Sequence, residues 1–99
     1  MWYAIISQDN DDSLPLRQVH RPAHLERLKE LNAQGRLLIA GPHPADDTSS
    51  PTDAGFTGSL VVLDFDTLYD AQAWADTDPY FLNGVYKSVT VKPFIKALP

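Results

Sequence analysis

An α+β domain with the element order β-α-β-β-α-β is what the sequence predicts, and three observations carry that prediction. Four apolar stretches alternate with two helical ones. The apolar stretches are short and rich in aromatic and β-branched residues, whereas the helical ones repeat their apolar residues every three or four positions. The chain has 99 residues, the size of one domain.

Trp2–Ser7 (WYAIIS) reads as the first strand, followed by an acidic turn over Gln8–Asp12. Ser13 is placed to cap a helix with Pro15 in its first turn. Pro22 lacks an N–H and pushes Arg21 away from helical ψ, so a kink or a fresh start is expected there. Beyond it, Leu25, Leu28 and Leu31 fall on one face, Glu26, Arg27, Lys29 and Glu30 on the other, and Gly35 ends the helix.

Arg36–Ala40 (RLLIA) is the second strand, and Gly41-Pro42 reads as a chain reversal closing it. His43–Thr57, rich in Pro, Asp, Ser and Thr, is expected to be a long loop. Gly58–Phe65 (GSLVVLDF) is the third strand. Thr67 or Asp66 caps a second helix with Leu68, Ala71, Trp74 and Ala75 on one face. Asp78-Pro79 opens a helical turn over Pro79–Asn83, stopped by Gly84. Val85–Ile95 is the last strand, and Pro93 puts it near an edge or at its end. This order is the split βαβ, or ferredoxin-like, arrangement with an antiparallel four-stranded sheet.

Two helices cover only one face of such a sheet, yet both faces are apolar. Trp2, Ala4 and Ile6 alternate with Tyr3 and Ile5; Leu60 and Val62 alternate with Val61, Leu63 and Phe65; Leu37 and Ile39 alternate with Leu38 and Ala40. A solvated face would alternate with polar residues. The economical cover is a second copy of the same sheet, so a homodimer packed sheet on sheet, a dimeric α/β barrel, is expected. In the last strand Val85, Val89, Val91 and Ile95 oppose Tyr86, Ser88, Thr90 and Lys92. That polar row is expected to look into the space between copies, forming a small wet pocket there with Ser59 and Tyr3.

Eight Lys and Arg against thirteen Asp and Glu give a net charge of −5. No basic residue lies between Arg36 and Lys87, where eight aspartates fall. Such a surface repels phosphate backbones, which argues against nucleic acid and anionic membrane as partners. A hydrophobic content of 43% is too apolar for disorder. The absence of cysteine rules out disulfides, thiolate catalysis and thiolate metal sites. No apolar run is long enough to span a bilayer, and Met1-Trp2-Tyr3 has no basic n-region. A cytoplasmic domain is expected.

Two residues stand out for chemistry. His24 flanks the apolar stripe together with Arg21, at the start of the helix expected after Pro22, where a helix N-terminus helps keep imidazole neutral. The plainer reading is a boundary histidine making one hydrogen bond. Asp78 before Pro79 is first of all an N-cap. His20 and His24 are four apart, but Pro22 interrupts their register, and no His-x-x-x-His on one face or His-x-His appears, so no metal is expected. Neither a nucleotide-binding glycine motif nor a nucleophile elbow is present, so no cofactor is expected.

Arg21-Pro22-Ala23-His24-Leu25, Gly35-Arg36-Leu37-Leu38, Ala40-Gly41-Pro42, Gly55-Phe56-Thr57-Gly58-Ser59, Ala71-Gln72-Ala73-Trp74-Ala75 and Asp76-x-Asp78-Pro79-Tyr80 occur in this order along the chain, ahead of Gly84-Val85-Tyr86 and Val91-Lys92-Pro93-Phe94. Together they resemble the YciI-like (YCII-related) family. The resemblance implies a ferredoxin-like fold that dimerises as an α/β barrel, and an active-site pocket holding a histidine and an aspartate. By residue-for-residue match those are His24 and Asp78, with Arg21, Gly41, Pro42 and Ser59 as pocket neighbours. One relative in the family is a dehydrochlorinase acting on a chlorinated hydroxyquinol.

The reading that follows is a cofactor-independent enzyme of lyase or isomerase type. Asp78 would hold one nitrogen of His24 while the other takes a proton from a small aromatic or carbonyl-bearing substrate. Arg21 would neutralise an enolate or carboxylate, in a pocket lined by Tyr3, Phe56, Trp74 and Tyr80. The alternative is a small-ligand-binding or interaction module in which His24 only donates a hydrogen bond. Haem handling on the same barrel has no axial-ligand pocket to support it.

Overall fold

The computed structural model describes residues 1–99, in the order β1 (Trp2–Asp9), α1 (Leu14–Ala33), β2 (Leu37–Pro44), β3 (Phe56–Asp64), α2 (Leu68–Asp76), α3 (Pro79–Leu82) and β4 (Tyr86–Phe94). The strands lie in the order β2-β3-β1-β4 with every neighbouring pair antiparallel. This is the ferredoxin-like βαββαβ sheet. Tyr3, Ile5, Val61 and Leu63 point to one face, where Leu28 and Leu31 of α1 and Ala71 and Ala75 of α2 close a core on them. No helix is long and apolar enough to cross a membrane.

The caps explain where two of the helices start. Thr67 accepts a bond from Asp70 N–H, and Asp78 accepts one from Tyr80 N–H. Ser13 occupies the N-cap position of α1 without capping it, because its hydroxyl is turned to Asp9.

Four expectations need correction. No break occurs at Pro22, which sits inside one 20-residue helix. Proline costs about 3 kcal/mol in a helix interior, but Pro22 lies on the solvent side. Meanwhile Arg17, His24, Leu28 and Leu31 are buried on both sides of it, and that packing holds the helix together.

Gly41-Pro42 is not a reversal either. It continues β2, with Gly41 opposite Leu60 and Pro42 opposite Ser59. Because β2 is an edge strand, a missing N–H is tolerated there.

The other two corrections come from bulges. Leu37 pairs with Leu63 but Ile39 with Val62, so strict alternation fails at Leu38, and Ala40 joins Val61 on the helix side. A second register shift, at Gln8/Asp9, brings Tyr86 against Tyr80 and His24 instead of toward the open face. Ser59 and Tyr3 also lie on the helix side. The wet pocket expected between two copies is therefore not formed by these residues.

Candidate functional site

α1 carries His24 at its middle, and the chain entering α3 carries Asp78, 54 positions later. The two meet inside the protein. His24 Nδ1 lies 2.8 Å from Asp78 Oδ1 and 3.1 Å from Oδ2, with His24 7% and Asp78 4% exposed. A carboxylate can only accept, so Nδ1 carries the proton and donates it to Asp78. Tyr80 N–H donates to the same Oδ1 at 2.8 Å. The N-cap predicted from Asp78-Pro79 and the histidine partner are thus one carboxylate in two roles.

The imidazole is also held by its faces. It stacks on Tyr80 with centroids 3.9 Å apart and planes 9° apart, while Tyr86 meets it edge-on. Burial pushes the Tyr80 phenol up and the Tyr86 phenol up to about 12, so both rings stay neutral. Held in this way, His24 keeps Nε2 free of any bond within the chain, and that nitrogen is the natural proton acceptor.

Beside this dyad lies a second buried group, Arg17, one α1 face with His24. Its Nε donates to Asp9 Oδ2 at 2.7 Å and its Nη2 to Asp9 Oδ1 at 2.9 Å, a side-on double contact at the end of β1. Nη2 also reaches the Gly58 carbonyl and Ser59 Oγ. Ser13 Oγ donates to the same Asp9 Oδ2. Burial works to lower the guanidinium pKa, but the contact with Asp9 outweighs it and the net direction is up. Phe56, Tyr80 and Tyr86 surround the guanidinium carbon at 5.0, 5.1 and 5.8 Å from their centroids.

Both groups border a cavity of about 700 Å³ between α1, β2, β3 and the loop before β3. Arg21, Gly41, Pro42, Ser59 and Tyr80 line it together with His24, and Asp78 stands behind the imidazole. Phe56 lines it as expected, whereas Tyr3 belongs to the core and Trp74 packs beside it under Arg27. His24 is mid-helix, so the helix N-terminus expected beside it is not there. Asp76 is exposed and accepts a bond from Gln72. No three His, Asp or Glu side chains come together in a metal-holding group.

Arg17 and Asp9 are not singled out by the sequence, and Tyr86 is expected on the open face. A signal for Arg17 was present, since positions 17, 24, 28 and 31 share one helical face. It becomes legible only when the helix is allowed to run through Pro22. Tyr86 carried no such signal, because the bulge that redirects it depends on pairing with another strand.

The comparisons with known proteins agree with this architecture. Residues 1–95 match the family model described as the YCII-related domain. Protein YciI of Escherichia coli O6:H1 is 57% identical over 96 residues, covering 97% of this chain and 98% of the relative, and Protein YciI of Shigella flexneri matches equally. An uncharacterized protein of Haemophilus influenzae is 51% identical over the same length. Among solved structures, 5-chloro-2-hydroxyhydroquinone dehydrochlorinase (TftG) from Burkholderia phenoliruptrix AC1100, in complex with 2,5-dihydroxybenzoquinone, shares the fold. Its TM-score is 0.83 at 24% identity, over 96% of this chain and 94% of that one. The chain belongs to the YCII-related family.

Proposed function

We propose that this protein is a cofactor-independent acid–base enzyme of lyase or isomerase type acting on a small aromatic or carbonyl compound. His24 Nε2 takes the proton, Asp78 fixes the tautomer and stabilises the imidazolium, and Arg21, Gly41, Pro42, Ser59 and Tyr80 contact the substrate. The observation that carries this reading is the buried 2.8 Å contact between His24 and Asp78 at the wall of a cavity. A capping aspartate and a boundary histidine require no such meeting. General base catalysis of this kind supplies about 10²–10⁴-fold, enough for an already acidic C–H or O–H. The dehydrochlorinase with the same fold handles a small hydroxylated ring, which suits this cavity as well.

The test presents small hydroxyaromatic and carbonyl compounds, 5-chloro-2-hydroxyhydroquinone first, and follows chloride release and solvent-deuterium exchange. His24→Ala and Asp78→Asn should each lower turnover by about 10²-fold or more. Unchanged turnover in both variants refutes the dyad. Binding without any turnover, persisting in His24→Gln, favours the binding-module alternative.

The same reading takes the protein as a homodimer. Ile6, Ile39 and Phe94 are 38%, 56% and 39% exposed, and the helices pack on the opposite side of the sheet. A second sheet laid on this face would remove that apolar surface from water. Light scattering at micromolar concentration should give twice the chain mass, and a monomer there refutes the assembly.

A further inference from the structure

The cavity is charged against the rest of the molecule. Of the thirteen acidic residues in the chain none lines it, and its charged side chains are Arg17 and Arg21. Behind the wall, Asp9 and Asp78 are already committed to Arg17 and His24.

Arg17 is only 6% exposed, and its donors are unevenly used. Nε and Nη2 serve Asp9, Gly58 and Ser59, while Nη1 has no acceptor in the chain. Three aromatic rings pack around the guanidinium carbon. An N–H pair in such surroundings gains most from a charged acceptor. Asp9 cancels much of the long-range field of Arg17, so recognition there rests on directed bonds. Arg21 is exposed, makes no ion pair, and supplies the uncompensated positive charge at the cavity wall.

We infer that Arg17 Nη1 and Arg21 form an anion subsite that takes the carboxylate or enolate oxygen of a small, flat organic anion. Its apolar body lies against Tyr80, Phe56 and Leu28, which line the same space. The inference rests on the acid–base reading and names its substrate class. An enolate formed when His24 removes a neighbouring proton is stabilised by the same donors. Polyanions meet the acidic exterior first and are turned away, while a small anion reaches the arginines.

The test titrates the full-length protein with benzoate and with benzamide, which share a shape and differ in charge, at about pH 8, above the usual imidazole range. Benzoate should bind at least about tenfold more tightly. Arg17→Lys keeps a cation for Asp9 but loses the fork, and should weaken benzoate by about tenfold or more. Arg21→Gln should weaken it by roughly threefold and reduce its salt dependence. His24→Gln should change it by less than about threefold.

Equal binding of the two probes, or no detectable benzoate binding, overturns the subsite. So does loss of benzoate in His24→Gln with Arg17→Lys unaffected, because the anion then sits on the imidazole. If Arg17→Lys does not fold, the two probes on the unaltered protein still decide. None of these readouts needs turnover, so failure of the acid–base reading shows separately in the activity assay.

Discussion

The His24 imidazole lies flat on the Tyr80 ring, centroids 3.9 Å apart, and both residues bond the same Asp78 oxygen at 2.8 Å. One carboxylate therefore sets the start of α3, the tautomer of the histidine and, through the Tyr80 backbone, the platform the histidine rests on. Function and local folding are coupled at this point, and the first prediction follows from that coupling.

Asp78→Ala removes the acceptor of two buried donors at once. Leaving such donors unsatisfied costs about 1–3 kcal/mol each. Urea denaturation should show a stability loss in that range or above it, together with loss of α3 order by amide exchange. A loss within about 0.5 kcal/mol, the size of an ordinary surface change, would separate the dyad from the fold.

The Arg17–Asp9 pair makes a steeper demand. Both side chains are nearly fully buried, at 7% and 1% exposure. Removing one partner strands the other charge, so Asp9→Ala should cost about 3–5 kcal/mol. Thermal melting checks this, and replacing both partners with apolar residues should cost less than the single change.

Glycine positions give a matched pair. A Cβ at Gly58 would overlap the Ser7 carbonyl oxygen, a backbone atom that cannot swing away, whereas at Gly41 it meets nothing within 4 Å. Gly58→Ala should therefore destabilise by more than about 3 kcal/mol, beyond the usual range of point changes, and Gly41→Ala by under about 1 kcal/mol. Denaturant midpoints for the two variants report the contrast.

Alkaline pH should weaken the fold through Tyr86. Its folded pKa is raised to about 12, from an unfolded value of 10.0, chiefly by burial. Between those values the unfolded chain has lost a proton that the native state keeps, so stability present below pH 10 falls as pH rises toward 12. The Tyr86 contribution to that fall is about 3 kcal/mol. Tyr86→Phe should flatten the alkaline limb of a stability-against-pH curve, and an unchanged limb would assign it to other groups.

Element order, strand pairing type and the caps at Thr67 and Asp78 were legible because each depends on local periodicity or local hydrogen bonding. His24 and Asp78 were singled out by spacing and by family resemblance, but their meeting across 54 residues required the fold. Pro22 concealed the rest. Reading it as a break separated Arg17 from the face it shares with His24, when packing on that face outweighs the local cost of proline. Gly41-Pro42 misled for a related reason, since an edge strand accepts what a central strand would not. Bulges at Leu38 and at Gln8/Asp9 cannot be counted from one strand alone, and they decide which face Ala40 and Tyr86 join.

The tautomer of His24 offers the most direct check on the whole account. Long-range proton–nitrogen NMR of the labelled protein distinguishes a protonated Nδ1 from a protonated Nε2. A proton fixed on Nδ1 with Nε2 bare, giving way to the opposite tautomer or to exchange between the two in Asp78→Asn, is the predicted result. A ring already averaging between tautomers in the unaltered protein, as a solvated imidazole does, would contradict it.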